Sequence, residues 1–130
     1  MPDLNLPAVL VATIAAFLSG ATYYAVLGGQ LAQVSDAAAA GEQPAPWKLA
    51  VEFLRCLIIA AVVAGLASRG AMDGWSGGLV LGLVLWIGFL FVLWTGAMIH
   101  ENAPPKLAVI HAGDWVVKLL VVAVIVTVWR

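Results

Sequence analysis

Charge is what this chain lacks most. Only 10% of its 130 residues are Asp, Glu, Lys or Arg, against 64% hydrophobic residues, and the mean hydropathy is +1.06. A soluble domain carries about 25% charged and about 45–50% apolar residues. Polar groups this sparse cannot cover a folded surface in water, so the expected solvent is the lipid bilayer. The formal net charge of −1 offers no basic face, which argues against nucleic acid as a partner. Cysteine is nearly absent too. Cys56 stands alone, so no intrachain disulfide can form.

Signatures of chemistry are missing as well. The chain has no P-loop and no dinucleotide fingerprint, Ser19 and Ser76 (the latter in "GWSGG") have no base at readable spacing, and its glycines fall at helical spacing rather than in phosphate loops. An enzyme is therefore not expected, no catalytic residue is assigned, and no cofactor is implied. The opening "MPDLNLPAVL" carries Asp3 where a cleaved signal carries Lys or Arg, so the first apolar run is expected to be retained. No lipidation motif is visible, since Cys56 is far from either end.

Long apolar runs are what the chain does have. A hydrocarbon layer about 30 Å thick needs roughly 20 apolar residues in helical form. Four stretches qualify, at about Leu6–Leu27, Trp47–Ala67, Trp75–Ile99 and Pro105–Val128. They are separated by "GGQLAQVSDAAAAGEQPAP", "SRGAMDG" and "HENAPP", with Pro105 suited to a first helical turn. Ala37–Ala40 could form a short interfacial helix. None of the runs alternates as a membrane strand would.

The expectation is thus an all-α, single-domain, four-helix transmembrane bundle over residues 1–130. Its up-down-up-down order would put both termini on one side. Arg69 and Arg130 mark the terminus side, while Lys48 and Lys106 mark the other. If Arg55 and Lys118 snorkel toward the latter, the positive-inside rule sets the termini outside. Trp75, Trp129 and Trp47 fall where an interfacial aromatic belt is expected. Trp86, Trp94 and Trp115 lie deeper and read as packing residues.

The two halves of the membrane layer differ. The loop-side half collects Tyr23 and Tyr24, Glu52 and Arg55, Thr95, His100 and Glu101, and His111, Asp114 and Lys118. The terminus-side half holds small residues instead: Ala8, Ala12, Ala16 and Gly20 on the first helix, and Gly74, Gly78 and Gly82 on the third. Ala60, Ala61, Ala64 and Gly65 close the second. Four-residue spacing of small side chains lets helix backbones approach closely. These stripes could pack within the bundle or form a subunit interface of a homo-oligomer.

His111, Asp114 and Lys118 are spaced i, i+3 and i+7, within about a 60° arc of one helix face. Asp114 precedes Lys118 by four residues, the better orientation for a helical ion pair. Glu52 and Arg55 make a similar pair on the second helix. Asp114 would lie about 13 Å along the fourth helix and Lys118 about 20 Å. Each such charge costs about 2.5–3.5 kcal/mol near a helix centre. Two complementary pairs facing one another would offset much of that. The cluster is then either a clamp or a polar pocket open to the loop side. Any small-molecule ligand of such a pocket is unspecified.

His100 and His111, with Glu101 and Asp114, invite a metal reading. No HExxH or Cys/His spacing supports it, so no metal is assigned. His111 is the better proton-responsive group, its free pKa being about 6.5. A through-pore would need polar lining in both halves, and the face of Lys118 continues as Val122 and Ile125. A lone subunit also looks too small for an inverted-repeat transporter.

Three stretches carry a family resemblance: "GATYYAVLG", "GLVLGLVLWIGF" and "ENAPPKLAVIHAGDWVVKLL". Together they make the chain resemble a bacterial family catalogued as domain of unknown function seventeen sixty-one. In that family's pattern a small residue precedes an aromatic pair, here Gly20, Tyr23 and Tyr24. An Asn–Ala–Gly step follows in the fourth helix, where this chain has His111, Ala112 and Gly113. Asp114 and Trp115 stand where an aromatic residue and a His are common. The resemblance implies a four-helix protein of the bacterial cell membrane without an assigned activity.

Overall fold

The computed structural model describes residues 4–35 and 45–129. Ala37–Ala40 and Arg130, which entered the expectations above, lie outside the described residues. Four helices are each long and apolar enough to cross a membrane. They are α1 (Leu6–Ala32), α2 (Pro46–Arg69), α3 (Gly74–His100) and α4 (Pro105–Val128). The all-α, four-helix expectation holds.

Each helix starts where local chemistry permits. Asn5 caps α1, its Oδ1 accepting from Ala8 N at 3.1 Å, which satisfies one orphan donor of the first turn. A proline sits in the first turn of α1, α2 and α4, where the lost N–H has no helical partner anyway. Between α2 and α3 the backbone turns through positive φ at Ala71 (52°) and Gly74 (73°), and between α3 and α4 at Asn102 (56°). Asn tolerates that region better than most residues.

Two features depart from the sequence pattern. The first is that α1 runs through Gly28 and Gly29 to Ala32, beyond the expected end at Leu27. Its exit is anchored to the start of α4, where Lys106 Nζ donates to Gln33 Oε1. The second is a π-helical stretch inside α3, Trp86–Phe91. There the helix widens, and Trp86 Nε1 donates to Ala112 O of α4 at 2.8 Å.

α4 packs against each of the other three helices, and α1 also packs on α2. Small residues make the contacts. Ala8, Ala12 and Ala16 of α1 and Ala60, Ala64 and Ala67 of α2 are buried, together with Val122 and Ala123 of α4. Large apolar side chains face outward instead, among them Leu10, Leu18, Ile58, Val62, Val84 and Phe89. This inverts a soluble protein. Lipid removes the hydrophobic drive between helices, so close packing of small residues holds them together.

The α3–α4 contact brings backbone against backbone. A Cβ on Gly78 would lie 2.5 Å from Thr127 Oγ1 and 2.7 Å from Val124 Cα. One on Gly82 would lie 3.1 Å from Leu119 O. Gly74 behaves differently. Nothing lies within 4 Å of its Cβ position, and its φ of +73° makes it a turn residue. Where they are buried, the small-residue stripes are used for packing inside the chain.

Candidate functional site

Four charged side chains form one connected line across α2 and α4. Arg55 Nη1 donates to Glu52 Oε2 at 2.7 Å. Lys118 Nζ then donates to Glu52 Oε1 at 3.0 Å and lies 2.9 Å from Asp114 Oδ2. Burial deepens along the line: the side chains are 54% exposed for Arg55, 31% for Glu52, 4% for Lys118 and 2% for Asp114. The two cations and two anions balance.

Lys118 is therefore the hinge of the arrangement. Its ammonium answers one carboxylate on its own helix and one on α2, which offsets the cost of removing three charges from water. Its stem lies against α1. A Cβ on Gly20 would fall 2.7 Å from Lys118 Cε and 3.1 Å from its Nζ. Glycine at that position is what lets the lysine reach Glu52 beneath the backbone of α1. Asp114 Oδ1 faces the same glycine, is buried, and has no hydrogen-bond partner among the described residues.

Trp115 forms a floor for both cations. Lys118 Nζ stands 4.7 Å and Arg55 Cζ 5.5 Å from its ring centroid, within the range of a cation–π attraction.

A second, aromatic group sits one turn away. Tyr24 Oη and His111 Nδ1 are 2.7 Å apart, and the hydroxyl donates when that nitrogen is bare. His111 also stacks on Trp94 of α3, the ring centroids 5.3 Å apart and the planes at 10°. Tyr23 Oη donates to Ile110 O at 2.6 Å and lies directly over Gly113, where any Cβ would collide with it. Three helices thus meet at His111.

Of the expected site residues, the structure brings together Tyr23, Tyr24, Glu52, Arg55, His111, Asp114 and Lys118. It leaves His100 and Glu101 apart. Both are exposed where α3 ends and make none of the cluster's contacts among the described residues. Among those residues no group of three His, Cys, Asp or Glu converges on a possible metal position. Sequence reasoning missed the parts played by Trp94 and Trp115. The signal was present for Trp115, which adjoins Asp114 and precedes Lys118 by three residues.

A family model described as "Protein of unknown function (DUF1761)" matches residues 7–127. The chain belongs to the DUF1761 family. The resemblance carried by "GATYYAVLG", "GLVLGLVLWIGF" and "ENAPPKLAVIHAGDWVVKLL" is borne out, and the matched stretch contains the whole charged line of this DUF1761 protein. No curated protein and no solved structure matches the chain.

Proposed function

We propose that this integral membrane protein has a structural or accessory role, and that the line Arg55–Glu52–Lys118–Asp114 clamps α2 to α4. The observation that supports it is the double engagement of Lys118 by carboxylates on two helices. In hydrocarbon an unpaired charge is expensive, so a misregistered α2 would strand several charges at once. The clamp acts by specifying one packing of small-residue helices whose other contacts are weakly directional.

The rest of the proposed picture follows from the same geometry. Asn5 Nδ2 donates to Trp129 O at 3.1 Å, which supports both termini lying on one membrane face. Lys48 and Lys106 border the other face, and the positive-inside rule makes that face cytoplasmic. α3, which packs chiefly on α4 and exposes Val84, Phe89 and Phe91, is the helix available to a second copy in a homo-oligomer.

One observation favours a second reading, a small ligand-binding or transport protein: the buried, unpartnered Asp114 Oδ1. Expression of folded chain in membranes separates the two. For a clamp, Lys118→Met lowers the folded fraction in fluorescence-detected size exclusion, and adding Asp114→Asn restores much of it. A folded Lys118→Met chain with normal yield and a selective loss of uptake or binding would contradict the clamp.

A further inference from the structure

Between α2 and α3, over α4, runs a lateral groove of about 380 Å³. Arg55, Ile58, Leu90, Leu93, Trp94 and Trp115 are among its walls. Ile58 and Leu93 are more than half exposed, so the groove opens sideways toward lipid. Its α3 wall includes Leu90 of the π-helical stretch, a widening that recurs at functional sites. The volume lies in the range of a small-molecule site.

We propose that this groove binds a neutral, lipid-soluble ring compound bearing carbonyl acceptors and a hydrocarbon tail, a molecule of quinone-like chemistry. The inference goes beyond the clamp and rests on it only in that Glu52 holds Arg55 in place. Charge decides against an anionic occupant. Arg55 and Lys118 are already balanced by Glu52 and Asp114, so an added anion would leave an uncompensated charge within the membrane, which lipid strongly disfavours.

Hydrogen bonding decides against a bare acyl chain. Arg55 spends Nη1 on Glu52, and its other N–H groups have no protein partner among the described residues. A carbonyl oxygen answers such donors without adding charge. Trp94 and Trp115 line the groove with aromatic surface for a ring, and Ile58, Leu90 and Leu93 line a track for a tail. His111 lies behind Trp94, stacked on it, and fixes that wall.

The test titrates the purified full chain in bicelles with an alkyl-tailed para-benzoquinone and follows tryptophan quenching. Parallel experiments add an alkylbenzene or a fatty acid with the same tail to the quinone-loaded chain and read its binding as relief of the quenching. Saturable quenching is expected, relieved by neither competitor at equal concentration and weakened by about tenfold in Arg55→Gln through the lost charged hydrogen bond. Leu93→Phe, which fills the groove without touching the charged line, weakens it as well. Should Arg55→Gln fail to fold, Leu93→Phe carries the test unaided. Equal binding of the alkylbenzene, tighter binding of the fatty acid, or quenching that never saturates would each overturn the proposal. So would self-association that occupies the groove and resists the quinone. None of these outcomes bears on the clamp, which is read from stability without ligand.

Discussion

Lys118 Nζ and Glu52 Oε1, 66 positions apart in the chain, meet at 3.0 Å across the α2–α4 contact. The lysine that makes this bond is almost wholly buried, while the glutamate is partly exposed. Their union ties the deepest charge of α4 to the loop-side end of α2. It also makes the burial of Lys118 depend on the absence of a side chain at Gly20.

That dependence is testable at Gly20. Gly20→Ala places a Cβ 2.7 Å from Lys118 Cε, so the lysine must shift and its two bonds lengthen. A loss of about 1–3 kcal/mol is expected, the usual cost of overpacking. Because the obstructing atom is the far part of a flexible side chain, Gly20→Ala combined with Lys118→Met is expected to lose less than the two changes added. Thermal unfolding in bicelles reads both.

Glycines on α2 and α3 give a contrast of opposite signs. Gly78→Ala meets the backbone of α4 at Val124 and Ala123, which cannot yield locally, so the α3–α4 contact should open and the melting temperature fall. Gly65→Ala meets nothing within 4 Å and should stabilise by up to about 1 kcal/mol through helix propensity. Equal effects from the two would contradict the packing described.

Tyr23 and Gly113 form a coupled pair. Gly113→Ala drives the tyrosine hydroxyl off Ile110 O and is expected to cost about 1–3 kcal/mol. In a Tyr23→Phe background the same alanine should cost distinctly less, because the colliding oxygen is gone. A double-mutant cycle measures the difference, and strict additivity would show that the hydroxyl is not the obstacle.

For Tyr24 and His111 the readout is spectroscopic. Tyr24→Phe removes the partner of Nδ1 while leaving the stack on Trp94. The Nδ1 nitrogen resonance of selectively labelled His111 should move, with a stability loss of about 1 kcal/mol. An unmoved resonance would mean the two groups do not bond in the membrane.

Much of this was legible in the sequence, for identifiable physical reasons. Long charge-free runs mark spans because lipid penalises charge. The i, i+3, i+7 spacing of His111, Asp114 and Lys118 placed them on one face of α4, since helix geometry is local. What was not legible depended on other helices. Gly28 and Gly29 read as a break, yet α1 continues through them to reach α4. His100 and Glu101 share the membrane half of the cluster but point out of it, since depth says nothing of radial direction. Trp94 read only as a packing residue, and the histidine stacked on it comes from another helix; the place of Trp115 three residues before Lys118 did carry a signal for its cation contact. The π-helical stretch Trp86–Phe91 has no marker in local propensity.

The most direct measurement is the coupling energy between Glu52 and Lys118, from a double-mutant cycle of Glu52→Gln and Lys118→Met followed by reversible unfolding in bicelles. A clamp predicts coupling above about 1 kcal/mol, larger than a typical interhelical hydrogen bond in lipid, with Lys118→Met the more damaging single change because it strands Asp114. Coupling near zero, with both single variants as stable as the parent, would contradict it.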